Sequence, residues 1–158
     1  MGVKANFDWN GIDKYLESRR QLLENLILRN LNYLGMKCVA YAKSLDTYVD
    51  RTGNLRNSIG YVIVKNGQIV ETLFQADSQG QDNMTSDQSG EEEGEKFAKE
   101  IAQNFREGFV LIVVAGMDYA SYVEDVHHLD VLQPAETLAK SEIQKIIVSI
   151  VESMKKAS

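Results

Sequence analysis

Between Ile12 and Leu45 apolar side chains recur at steps of three and four residues, through Ile12, Tyr15, Leu16, Leu22, Leu23, Leu26 and Ile27 to Leu34, Cys38, Tyr41, Ala42 and Leu45. That period is the signature of one amphipathic helix. At 1.5 Å per residue it would run ~50 Å, longer than a compact domain of this size is wide. Part of it is therefore expected to project, to break near Gly35, or to pack on a neighbouring subunit. A glycine inside a helix costs about 1 kcal/mol against alanine, so Gly35 is a candidate for a close crossing.

The period then changes. Ile59 to Lys65 and Gln68 to Phe74 are β-branched and aromatic runs separated by Asn66-Gly67, the dipeptide that tolerates both positive φ angles of a type I′ turn, so a hairpin is predicted. Gln75 to Gly90 is polar and nearly without apolar residues; it has too little surface to bury against its ordering entropy and reads as a mobile insertion. Ser89 followed by Glu92 has the spacing of a capping box, and Glu91, Glu92, Glu93 and Glu95 suit the positive end of a helix whose apolar stripe would be Phe97, Ile101 and Phe105. Phe109 to Ala115 is apolar throughout, which predicts a strand covered on both faces and placed at the centre of the sheet. Asp118 is positioned to cap a short helix carrying Tyr119, Tyr122, Val123 and Val126 on one side. Pro134 opens a last helix whose predicted seam is Leu138, Ile143, Ile146, Ile147, Ile150, Val151 and Met154. The order of elements predicts a single α+β domain over residues 1–158: a long N-terminal helix and a C-terminal helix packed on a small, mainly antiparallel sheet that contains the hairpin.

Composition narrows the chemistry. With 158 residues, 44% of them hydrophobic, the chain can bury a core without covalent staples. A formal net charge of -6 argues against non-specific attraction to nucleic acid or to an anionic membrane surface. The single cysteine, Cys38, falls in the helical pattern and reads as a small core residue, since one thiol builds neither a disulfide nor a thiolate zinc site within the chain. No stretch approaches the ~20 apolar residues of a membrane span, and MGVKANFDWN lacks both a signal-peptide core and the Ser or Thr of a myristoylation signal. The protein is expected to be made and kept in the cytoplasm.

No constellation of reactive groups stands out. His127-His128 is the only histidine pair; adjacent helical residues point about 100° apart, no Cys or third His lies near, and no motif fixes the spacing of Asp125 and Asp130, which could supply oxygens, so solvated or interfacial histidines are expected rather than a metal site. The Arg51-Thr52-Gly53-Asn54-Leu55-Arg56 stretch combines arginine forks with a glycine turn, yet it lacks the spacing and the Lys-Ser/Thr of a P-loop and leads into a strand instead of a helix. Ser58 belongs to no nucleophile motif, and Glu91 to Glu93 read as a solvated helix start. No enzymatic activity, cofactor or metal is expected. For Tyr119 and Tyr122 two readings stay open, packing on the sheet and contact at a subunit interface, where tyrosine is enriched.

Two segments, taken together, carry a resemblance. RTGNLRNSI before the first strand, and VVAGMDYASYVE with DVLQPAE before the last helix, resemble the paired signatures of the tail-completion and head-to-tail joining (neck) proteins of long-tailed bacteriophages and prophages. Thr52, Gly53, Leu55, Arg56, Ser58 and Ile59 match the first signature, Gly116, Tyr119, Ala120, Val123 and Glu124 the second, and Pro134-Ala135 the opening of the carboxy-terminal helix. The likeness in element order extends over roughly the whole chain apart from Gln75 to Gly90. The chain departs where many relatives follow the glutamate with Gly-Thr; here Glu124 precedes Asp125-Val126.

The resemblance implies a structural subunit that assembles with copies of itself into a ring between the capsid portal and the tail tube, contacting portal-side connector and tail-tube proteins. It implies no sequence-specific nucleic acid and no membrane. The implied location is the host cytoplasm during assembly and then the virion neck or tail. On this reading Gly53 permits the turn, Leu55 and Ile59 anchor it, Arg56 pairs with Glu124, and Arg51 faces solvent or the next subunit. A monomeric ligand- or peptide-binding module of prophage origin is the alternative, and it would require a concave apolar pocket.

Overall fold

The computed structural model describes Lys4 and residues 8–45, 54–75, 90–116 and 132–156. Among these residues four helices and three strands follow in the order α1 (Trp9–Ser44), α2 (Asn54–Asn57), β1 (Ile59–Lys65), β2 (Gln68–Phe74), α3 (Gly90–Ala102), β3 (Phe109–Ala115) and α4 (Gln133–Lys156). The chain is α+β, with one long helix at each end and an antiparallel sheet between them.

The hairpin sits where the Asn66-Gly67 dipeptide places it. Asn66 has φ 49° and Gly67 φ 81°, the left-handed pair that lets a two-residue loop follow the twist of its strands. Strand order is β2-β1-β3, all antiparallel. β3 is thus an edge strand and β1 the central one, which corrects the expectation drawn from the apolar run of Phe109 to Ala115. That run reports cover above and below the strand, not a neighbour on each side. β1 is buried along nearly its whole length and divides its side chains between two cores.

Ile59, Tyr61 and Ile63 point to one side, where they meet Leu31, Leu34, Cys38 and Ala42 of α1 and Ala135 and Ile146 of α4. Val62 and Val64 point to the other, where they meet Ala98 and Ala102 of α3 with Ile112 and Val114 of β3. The result is three layers, α1 with α4, the sheet, and α3. Gly35 lets α1 cross β1 closely: a Cβ there would lie 2.8 Å from the ring of Tyr61, whose hydroxyl donates to Asn32 one turn earlier. The helix continues through Gly35 without a break.

α4 runs antiparallel to α1. The thiol of Cys38 lies 3.7 Å from the carbonyl oxygen of Ala135 near its start, Lys37 pairs with Glu142 at 3.3 Å, and Arg19 and Leu23 adjoin Val151, Met154 and Lys155 near its end. Residues 9–18 of α1 extend past that end and are exposed throughout. The projection anticipated from helix length is therefore at the amino-terminal end. In α4 the predicted seam splits: Ile146 is buried, whereas Ile143, Ile147 and Val151 face outward, because only one flank of the helix meets α1 and β3. Cys38 is a buried core residue, as its place in the pattern suggested.

Candidate functional site

The two sequence segments that carry the resemblance meet at one point. A helical turn, α2, ends the first segment, and Leu55 within it is buried against the α1 side of the core. Ser58 follows, fully buried. Its hydroxyl donates to the carbonyl of Leu55 at 2.8 Å and accepts from the amide of Gly116 at 3.1 Å; the same amide lies 3.3 Å from the Ser58 carbonyl oxygen. Gly116 extends the β1–β3 ladder one step beyond the Ile59–Ala115 pair. The serine therefore closes the α2 turn and ties the end of β3 to the start of β1 with one side chain.

α3 rests directly on this joint. A Cβ on Gly94 would sit 2.3 Å from the Ser58 carbonyl oxygen, and one on Gly116 would sit 2.3 Å from the Cα of Gly94. Three backbones approach within contact distance there, which only residues without side chains permit. The fully buried face of α3 is Gly90, Gly94, Ala98 and Ala102; of the predicted stripe, Ile101 packs partly buried against the same core, whereas Phe97 and, beyond the end of the helix, Phe105 are exposed. The small residues let the helix lie close to the sheet, and the bulky β-branched side chains of β1 and β3 supply the apolar volume that α3 lacks. Gly94 was legible only as one step of a small-residue repeat at four-residue spacing.

Of the residues singled out from the sequence, the structure places Leu55, Ser58 and Gly116 at this joint and leaves Arg56 half-buried beside it. Arg51, Thr52, Gly53, Tyr119, Tyr122 and Glu124 lie outside the described residues, as do the capping Ser89, the polar segment 76–89, Asp118 and the His127-His128 pair. The Arg56–Glu124 pairing therefore stays an expectation.

Elsewhere the described surface is simple in chemistry. A cleft of about 220 Å³ between α1, β3 and the start of α4 is lined by Cys38, Leu111, Val113, Ala135 and Ala139. Two more open hollows are larger, about 310 Å³ between Leu23 of α1 and Met154 of α4 and about 390 Å³ along the polar side of α3 between Glu92 and Gln103. Burial pushes the Cys38 thiol up, away from the reactive thiolate. Among the described residues no three His, Cys, Asp or Glu side chains gather as a metal site, and no helix is long and apolar enough to cross a membrane.

No family model matches this chain, and neither a curated protein nor a solved structure matches it.

Proposed function

We propose that this chain is a structural protein of a phage or prophage, of the head-tail connector or tail-completion type, which assembles as a ring between portal and tail. The observation that carries the reading is the Ser58–Gly116 joint. Two short signatures separated by more than fifty residues are both built around residues that touch, which is what a shared fold would require of paired motifs. The order of elements fits the same reading. So does the exposed amino-terminal third of α1, since a subunit that works inside an assembly keeps apolar surface for its neighbours.

The function of such a subunit is geometric, and its chemistry is that of packing and hydrogen bonding. Sedimentation of the purified chain over a concentration series, with negative-stain imaging of the largest species, is expected to find closed rings. Deleting the chain from its parent phage or prophage is expected to leave heads and tails unjoined. Virions that join normally without it overturn the proposal.

A further inference from the structure

We infer that residues 9–18 of α1 form the plug of a head-to-tail contact and seat on the outer groove between α1 and α4 of a second copy. The inference rests on the reading of the chain as a subunit among copies, and it names the surfaces that would join them.

The plug is helix that no described element covers. α4 ends beside Arg19, and the ten residues before it extend about 15 Å further. They are not polar on all sides. Trp9, Ile12 and Leu16 follow at steps of three and four and continue the stripe that includes Leu23, with Tyr15 beside it. Trp9 is 69% and Leu16 58% exposed. An isolated overhang of this length gains little from staying helical with its apolar stripe in water.

The receptor surface lies on the same helix pair. Ile143, Ile147 and Val151 form an outward row on α4 at four-residue spacing, and Leu23 of α1 adjoins the row at Val151 and Met154. Plug and receptor rows are of similar length. Together they present on the order of 900 Å² of exposed apolar surface, judged from side chains of this size. A standard interface buries about 1,600 Å², a little over half of it apolar, so the two patches match what one stable contact needs.

Charge selects the pairing of plug with groove over plug with plug. Asp8 and Asp13 outnumber Lys14 beside the plug's stripe, whereas Lys155 and Arg19, the latter also over the Tyr15 ring, rim the groove; Lys140 at the far end of the α4 row is already paired with Glu136. Two plugs side by side would bring carboxylates together; a plug in the groove brings them to cations. Because plug and groove are different patches on one chain, each copy offers one of each. Made once per pair of copies, as inferred, that contact is heterologous and propagates until a ring closes; made twice across a two-fold axis it would stop at a dimer.

The test uses two full-length variants, Leu16→Asp in the plug and Ile147→Asp in the groove. Both sites are exposed, so each variant is expected to keep the wild-type circular dichroism and melting temperature. Each alone is expected to associate at least about 100-fold more weakly than the wild type, read by sedimentation. Mixed in equal amounts, the intact groove of one variant accepts the intact plug of the other. The mixture is expected to give a species of two 17.8 kDa chains and nothing larger. Wild-type association left unchanged by both substitutions overturns the inference while the ring reading stands on other faces. A wild-type chain that stops at a dimer marks a contact made twice across a two-fold axis and also overturns it, as does a variant that still dimerises alone. So does a wild-type chain that stays monomeric to about 1 mM, in which case virion joining decides the broader reading.

Discussion

The amide of Gly116 reaches both oxygens of Ser58, the hydroxyl at 3.1 Å and the carbonyl at 3.3 Å. Because the same hydroxyl also donates to Leu55, one buried side chain holds a helical turn, the first residue before β1 and the residue after β3 in register.

Ser58→Ala removes that hydroxyl and leaves the Leu55 carbonyl without its side-chain donor. The ladder bond from Gly116 to the Ser58 carbonyl survives, so the loss is of one hydroxyl's bonds. The expected cost is about 1–2 kcal/mol, read as a fall of roughly 3–6 °C in melting temperature. An unchanged melt would show that the Ser58 hydroxyl contributes nothing to stability.

Gly94→Ala sets two effects against each other. Helix propensity favours alanine by about 1 kcal/mol. The added methyl, however, meets the Ser58 carbonyl oxygen at 2.3 Å, and that oxygen is fixed backbone that cannot swing aside. The clash is expected to win, with a net loss of about 2–4 kcal/mol in a denaturant titration. A stabilised Gly94→Ala variant would refute the close approach of α3.

Stability is expected to fall at both ends of the pH scale. Burial, with the Glu71 charge second, pushes the Tyr61 phenol above its ordinary value, and burial does the same to the Cys38 thiol. Groups raised in the folded state contribute stability that is present below their unfolded values and is lost as pH climbs through the folded ones, so the alkaline decline begins in the range of ordinary thiols and phenols. Hydrogen bonds from Lys145 and then Lys37 hold Glu142 below the usual carboxylate range. Its contribution is present above the ordinary carboxylate value and disappears as pH falls through the lowered one. Guanidinium midpoints measured across pH should therefore form a plateau, and Tyr61→Phe with Cys38→Ala should flatten its alkaline shoulder.

Lys65 at the end of β1 pairs with Glu24 of α1 at 2.8 Å and lies 5.7 Å from the centre of the Phe109 ring. Both side chains are about three-quarters buried but still reach solvent, so a double-mutant cycle is expected to give a coupling of about 0.5–1 kcal/mol that shrinks in high salt. A coupling that ignores salt would mean the pair is held by packing instead.

The parts of the fold written in local chemistry were legible, and the parts set by distant neighbours were not. Asn66-Gly67 announces its hairpin because the turn needs those two residues whatever surrounds it. The run from Phe109 to Ala115 reveals cover on both faces but cannot reveal which strand stands beside it, since β1 pairs across more than forty residues of chain. α3 misled because large apolar residues are conspicuous, while what decided its docking was the absence of a side chain at Gly94 and the small ones of Ala98 and Ala102. The outward row on α4 looked like core for the same reason: an apolar stripe does not say whether its partner belongs to the same molecule. Of the candidate site, the motif residues Ser58 and Gly116 were legible, and Gly94, which seats against both, was missed.

α1 is rooted in the core between Leu31 and Ala42, and its opposite end stands clear of the body. A rod clamped at one end works as a lever. α4 supports the helix as far as Arg19, and with about 1.5 Å of rise per residue the tip at Trp9 lies roughly 15 Å beyond, so a bend of about 5° there moves the tip through about 1 Å. Motion at that edge of the body is thereby delivered to the tip of the helix.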